Sequence, residues 1–171
     1  MNLYLDTSAL VKLYVTEAAS ASVRSWTAAA GMIITARLTY VEARAAMAQA
    51  RRSGGLAPAD LRRAVAELDA AWTGFLRIDV SESLVSRAGA LAEEHGLRGY
   101  DAVQLACALD AWPDASDFVF ASFDVDLNAA AVREGLHLAD APDRVRERPA
   151  VPYGRRVRMG RPRVAASGRS R

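Results

Sequence analysis

Four acidic residues stand where the chain could gather them into one reactive group: Asp6, Glu42, Asp101 and Asp124. Asp6 directly follows the apolar run Leu3-Tyr4-Leu5, and Asp124 follows Phe118 to Phe123. In open α/β sheets the functional crevice lies outside the carboxyl ends of the strands, so acids placed where strands stop fall at that edge. Glu42 and Asp101 each lie in the first turn of a predicted helix, within Leu38-Thr39-Tyr40-Val41-Glu42-Ala43-Arg44 and Leu97-Arg98-Gly99-Tyr100-Asp101-Ala102-Val103-Gln104. Taken singly, each acid reads first as a helix cap, because helix N-termini favour negative charge. Thr39 and Glu42 even have the spacing of a capping box. Taken together, the four need a cation: carboxylates a few ångströms apart raise one another's pKa unless positive charge lies between them. Mg²⁺ and Mn²⁺ prefer carboxylate oxygen and water, and a pair of such ions can hold an attacking water and a leaving oxygen in line across a phosphodiester. The chemistry indicated is metal-assisted phosphodiester hydrolysis.

The elements that must position these acids alternate along the chain. Leu3-Tyr4-Leu5 reads as a short buried strand, Ser8 to Val15 as a helix, and Glu17 to Ala30 as a second helix ended by Gly31. Met32-Ile33-Ile34-Thr35 is predicted as a strand and Thr39 to Arg52 as a helix. Ser53-Gly54-Gly55 breaks the chain before a long amphipathic helix that opens at Pro58 and includes Leu61, Val65, Leu68 and Trp72. Leu76 to Val80 is the third strand; Ser81 opens a helix to His95, and another covers Tyr100 to Ala111 until Trp112-Pro113 stops it. Phe118 to Ala121, a short helix from Asp124 to Arg133, and a last strand at Leu136-His137-Leu138 complete the series. Such alternation implies an α/β fold with an open, mainly parallel sheet.

Composition bounds the rest. The chain has 171 residues, 51% of them hydrophobic, which suits one domain with a real core. No stretch is long and apolar enough for a membrane span and the N-terminus lacks a leader pattern, so a cytoplasmic protein without membrane contact is expected. One cysteine, Cys107, and two histidines, His95 and His137, leave almost no ligands for a zinc site of the usual Cys/His kind. The net charge of +2 conceals ten arginines against two acids in residues 142–171, which leaves residues 1–141 at −6. An acidic body with a polyanionic substrate would itself require bound cations. The Arg/Pro-rich tail, residues 142–171, is expected to be disordered and able to hold RNA nonspecifically.

The motifs around the acids match a known family. Tyr4-Leu5-Asp6-Thr7-Ser8-Ala9-Leu10-Val11-Lys12-Leu13-Tyr14 resembles the opening motif of VapC-type PIN domains, ribonuclease toxins of bacterial type II toxin–antitoxin systems. Thr39 to Ala46 is similar to the family's second acidic motif, Leu97 to Ala106 to its third, and Phe120-Ala121-Ser122-Phe123-Asp124-Val125-Asp126-Leu127 to its fourth. The resemblance covers about residues 2–140. It implies a PIN domain over residues 1–141, built as a three-layer α/β/α sandwich, with Mg²⁺ or Mn²⁺ at Asp6, Glu42, Asp101 and Asp124. It also implies endonucleolytic cleavage of RNA, with transfer or ribosomal RNA as target, and no covalent enzyme intermediate. Asp6 and Asp101 would be direct ligands; Glu42 and Asp124 would complete the site as ligands, through water, or by orienting the attacking water. Ser8 and Ser122 match hydroxyl positions beside the first and fourth acids, and Asp126 lies two residues beyond Asp124. The expected partners are a VapB-like antitoxin, able to set a basic side chain against the acids, and a second copy of the chain.

Other residues carry two readings each. Lys12 either approaches a phosphate or is a solvated helix lysine; Arg37, Arg44 and Arg98 either hold RNA backbone or are ordinary surface arginines. Trp26, Trp72 and Trp112 are expected in the core or an interface, His95 as a helix C-cap, His137 in a buried strand and Cys107 in the core. Two other functions compete. A haloacid-dehalogenase-like phosphatase would need a second aspartate where Ser8 stands, and a degenerate PIN module would bind RNA or protein without cleaving.

Overall fold

The computed structural model describes residues 1–111 and 117–139. The readings of Trp112, Pro113 and the tail from residue 142 lie outside them. Eleven elements run in order: β1 (Asn2–Leu5), α1 (Thr7–Tyr14), α2 (Ser20–Ala29), β2 (Met32–Ala36), α3 (Thr39–Arg52), α4 (Pro58–Trp72), β3 (Leu76–Ile78), α5 (Glu82–His95), α6 (Gly99–Asp110), β4 (Phe118–Ala121) and α7 (Val125–Arg133). The strands form one sheet in the order β3-β2-β1-β4, with every pairing parallel. Parallel pairing puts the carboxyl ends of all four strands on one edge, which is the condition the sequence reading of the acids required.

Side-chain alternation along the strands divides the interior in two. Leu3, Leu5 and Ala121 face one side, where they pack with Leu10 of α1, Val23 of α2, Met47 of α3 and Leu68 of α4. Tyr4, Ile34, Phe118 and Phe120 face the other, against Leu91 of α5, Leu105 of α6 and Leu127 of α7. The result is the expected α/β/α sandwich, with α1 to α4 on one face and α5 to α7 on the other. Buried strands covered on both faces read as continuous apolar runs, as Leu3-Tyr4-Leu5 and Phe118-Val119-Phe120 do.

Local differences from the sequence reading have identifiable causes. The second helix starts at Ser20 rather than Glu17, because the Ser20 hydroxyl accepts from the Glu17 amide and donates to the Val15 carbonyl, and Ala19 adopts a left-handed conformation. That turn occupies the residues an earlier helix start would need. The strand expected at Leu136 to Leu138 reduces to a bridge between Leu138 and Phe120, held by Phe120 N–H to the His137 carbonyl and Ala139 N–H to the Phe120 carbonyl. Thr39 is no N-cap. Leu38 holds that position without a side-chain bond, and the Thr39 hydroxyl is turned inward, so the capping box does not form.

Two leucines test the division into layers. Leu68 on α4 is fully buried, whereas Leu76, on the edge strand β3, is 46% exposed. Leu68→Ala should cost about 2–5 kcal/mol in urea denaturation, and Leu76→Ala under about 1 kcal/mol; equal losses would contradict the layer assignment.

Candidate active site

Asp6 leaves the end of β1 and caps α1. Its Oδ2 accepts from the Ser8 amide at 3.2 Å, the Ser8 hydroxyl at 2.7 Å and the Ser122 hydroxyl at 3.0 Å. Ser8 Oγ also accepts from the Phe123 amide, and Ser122 Oγ from the Asp124 amide. The two serines therefore clip the loop after β1 to the loop after β4, and both hydroxyls are spent on Asp6. Asp124 in turn caps α7, its Oδ1 accepting from the Asp126 and Leu127 amides at 3.0 and 2.9 Å. Capping and membership of the acidic group are thus compatible readings of the same residues.

Glu42, on the first turn of α3, is held from two other segments. The Thr7 hydroxyl donates to its Oε2 at 2.5 Å and the Gln104 side-chain amide at 2.7 Å. Gln104 is fully buried on α6, and the Tyr4 hydroxyl donates to its Oε1 at 2.8 Å. With the oxygen occupied by Tyr4, the amide nitrogen must face Glu42, Thr39 Oγ1 and Thr7 Oγ1. Sequence reasoning missed Gln104 as a member of the site. The available signal was a glutamine one turn beyond Asp101, in a helix otherwise apolar along its buried side.

Asp101 and Asp124 share one guanidinium. Arg98 Nε donates to Asp101 Oδ2 at 2.6 Å, and its terminal nitrogen donates to Asp124 Oδ2 at 2.8 Å. The Arg98 side chain is 59% exposed, so these pairs are worth little as stability, but they bring positive charge between two of the four acids. Asp6, Thr7, Ser8, Glu42, Arg98, Asp101 and Asp124 line a common cleft of about 510 Å³. Asp126 is exposed, outside that lining, and contributes its backbone amide to Asp124.

Arg37 and Arg44 fall outside the lining of the cleft. Arg37 pairs with Asp79, and Arg44 donates to the Tyr40 hydroxyl. Lys12 departs from the solvated reading: its side chain is 1% exposed, lies over the Phe123 ring and approaches Glu17 Oε2 at 3.4 Å, while still lining the cleft. Trp26 stacks on Phe123, and Trp72 packs against Tyr40 and Phe75, as core reading required. His95 is no simple C-cap, since its Nε2 meets Glu134 Oε1.

The electrostatics of the cleft are those of dehydrated carboxylates. Burial pushes the Asp6 carboxyl above its ordinary pKa, against the downward pull of the Ser8 and Ser122 hydroxyls. Burial also raises Glu42, against the bonds from Thr7 and Gln104, with Asp6 and Asp101 adding repulsion. Asp101 is raised by burial, partly offset by Arg98, with further repulsion from Asp124 and Asp6. These are acids that lack enough positive charge. An all-oxygen donor set of this kind fits a hard divalent cation such as Mg²⁺ or Mn²⁺. No three of these carboxylates converge to within 4.8 Å of one another; Asp101 and Asp124 share Arg98, while Thr7 and Gln104 hold Glu42.

Comparison with known proteins agrees with this architecture. The family model described as the PIN domain matches residues 3–133. The chain is 34% identical over 138 residues to Ribonuclease VapC45 of Mycobacterium tuberculosis, a match covering 81% of this chain and 94% of that one. Among solved structures, VapC20 of Mycobacterium tuberculosis, a sarcin–ricin loop cleaving toxin, superposes with a TM-score of 0.56 at 21% identity, covering 86% of this chain and 99% of its own. VapBC2 from Rickettsia felis, bound to a promoter DNA fragment, gives 0.55 at 14% identity, covering 81% and 97%. Those two likenesses concern the fold; the family follows from the domain match and the 34% identity. The chain belongs to the PIN-domain family and, within it, to the VapC ribonucleases.

Proposed function

We propose that this protein is the toxin of a type II toxin–antitoxin pair, a Mg²⁺- or Mn²⁺-dependent endoribonuclease whose reaction is carried by Asp6, Glu42, Asp101 and Asp124. The observation that carries the reading is the gathering of four acids from four distant segments into one cleft, three of them with raised pKa. Asp6 and Asp101 are the direct metal ligands, with Glu42 and Asp124 completing the set. When bound, the ion supplies Lewis-acid stabilisation of the phosphoryl oxygens and a more acidic water.

The chain's own residues do the rest. Ser8 and Ser122 fix Asp6 by donating to Oδ2, which leaves Oδ1 outside those bonds. Thr7 and Gln104 hold Glu42 by Oε2, so the carboxylate cannot rotate away from the cleft. Held in this way, Glu42 would take a proton from the attacking water, whose oxygen bonds to phosphorus as the bond to the leaving ribose oxygen breaks and that oxygen takes a proton from solvent. Arg98 offers an exposed guanidinium to the RNA backbone once the metal takes over Asp101 and Asp124. Transfer or ribosomal RNA is the target class, a VapB-like antitoxin the neutralising partner, and a homodimer the assembly, in the cytoplasm. Residues 1–141 form the PIN domain and 142–171 a basic extension to it. No helix among the described residues is long and apolar enough to cross a membrane. The apolar faces of α1 and α2 pack largely inward, so they contribute core rather than a broad dimer surface.

Ser8, bonded to Asp6, stands where a phosphatase of the dehalogenase type needs its second aspartate, which argues against that alternative. A purely binding PIN module has no use for three acids held against their own repulsion.

Purified protein incubated with total cellular RNA should give discrete fragments with Mg²⁺ or Mn²⁺ and none with EDTA. Asp6→Asn and Asp101→Asn should each lower the rate at least about 100-fold; undiminished cleavage in either would reject the assigned site. Gln104→Leu, compared with wild type of equal thermal stability, should lower kcat about 10–100-fold with little change in KM, because Glu42 loses its orienting donor. A change confined to KM would place Gln104 in substrate binding instead.

Stability should respond to pH in a direction set by the raised carboxyls. A raised folded-state pKa contributes stability below the unfolded value that is lost as pH rises through the folded one. Metal-free protein should therefore gain stability from Asp6→Asn or Glu42→Gln at pH 7.5, by roughly 2–4 °C in Tm per kcal/mol, and the gain should vanish in acid. Mn²⁺ should raise the Tm of wild type more than that of either variant.

A further inference from the structure

A second group of metal-ligating side chains lies away from the acidic cleft. A nitrogen of His95 and carboxylate oxygens of Glu94 and Glu134 lie within 4.8 Å of one another. Among the described residues this is the one triple of histidine, cysteine or acid that meets that spacing. We propose that Glu94, His95 and Glu134 form a binding site for a borderline divalent ion, Zn²⁺ in the first instance, which ties the C-terminus of α5 to that of α7.

Three observations point the same way. The site is rigid at its base: the His95 side chain is 4% exposed, and its Nε2 already meets Glu134 Oε1 at 2.6 Å. The backbone on both sides is fixed by matching helix ends. Gly96 follows α5 with φ 67°, and Leu97 N–H returns to the Ala92 carbonyl; Gly135 follows Glu134 with φ 87°, and Leu136 N–H returns to the Ala131 carbonyl. Glycine is favoured at both, since a side chain strains those left-handed angles.

The second observation is charge. Two helix C-termini, each carrying the negative end of its dipole, converge on two carboxylates. Among the described residues no arginine makes an ion pair with either glutamate, and His95 is the basic partner of Glu134. A neutral imidazole offers no charge compensation, and a divalent ion offers twice that of a protonated one.

The third is donor chemistry. One imidazole and two carboxylates suit Zn²⁺, Ni²⁺ or Co²⁺, whereas Mg²⁺ selects oxygen alone. Ligand atoms about 2.1 Å from a tetrahedral ion lie about 3.4 Å apart. The pair at 2.6 Å must therefore open by under an ångström, with the ion replacing the proton that now joins them, and Glu94 must close from the exposed side. Water completes the fourth position. Composition conceals this three-ligand pattern, because one histidine and two glutamates from two helix ends form no Cys/His motif in the sequence.

The chain contains two histidines, which makes the test direct. Long-range ¹H–¹⁵N spectra of the two imidazoles are recorded on the full chain at neutral pH with excess Mg²⁺, while Zn²⁺ is added. The expected result is replacement of the His95 resonances by a new set, complete at one equivalent, with the His137 resonances unmoved. Glu134→Gln and Glu94→Gln should each weaken the transition by at least about tenfold, while unchanged His137 signals report an intact fold. In the same excess of Mg²⁺, Zn²⁺ should raise the Tm of wild type more than that of His95→Gln. The proposal is overturned if His95 is unmoved at several equivalents, if both imidazoles respond together, or if Glu134→Gln titrates like wild type.

Discussion

Dehydration of the gathered carboxylates is the constraint on which the rest of this structure depends. Asp6, Glu42 and Asp101 all have raised pKa, and in each case burial is the leading cause. A fold does not collect such groups without reinforcing what holds them. The reinforcement here is a set of hydrogen bonds that cross between elements: Ser8 and Ser122 join the loops after β1 and β4, while Tyr4, Gln104 and Thr7 join β1, α6 and α1 to Glu42 on α3. All-parallel pairing is what makes those crossings short, because it delivers every strand's carboxyl end to the same edge.

The acids themselves could be read from the sequence because the features that expose them are local. Leu3-Tyr4-Leu5-Asp6 and Phe118 to Asp124 announce a strand and its end within seven residues, and the helices around Glu42 and Asp101 show their apolar periodicity within a few turns. Element order and the parallel sheet followed from the same signals, while the three layers were implied by the family resemblance. What could not be read was set by contacts between residues far apart in the chain. Gln104 acts through partners 100 and 62 positions away, and in sequence it is only one polar residue in an apolar helix.

The errors have the same origin. Thr39 and Glu42 have the spacing of a capping box, but a buried amide and a buried hydroxyl compete for the Thr39 oxygen and win. Lys12 was expected either on solvent or on phosphate, and lies buried over Phe123 on the cleft wall, a position that helical spacing from Ser8 alone could not distinguish. The last strand contracted to a bridge because the chain after Gly135 reaches the edge of β4 only at Leu138.

Arg98 brings the constraint and the proposed regulation into one argument. It bonds Asp101 and Asp124 simultaneously, which is the charge compensation that a divalent ion would otherwise give. Since its side chain is more than half exposed, it can swing to solvent at little cost, and the divalent ion of the proposed function, with two charges and shorter bonds, would displace it. A basic side chain presented by the proposed antitoxin would meet the same competition. It must either evict Arg98 from Asp101 and Asp124 or engage Asp6 and Glu42, whose inner oxygens are already held by serine, threonine and glutamine. Under the proposed function, self-neutralisation, metal loading and inhibition would be three occupancies of the same negative potential, and the arginine three residues before Asp101 sets the level against which the other two would compete.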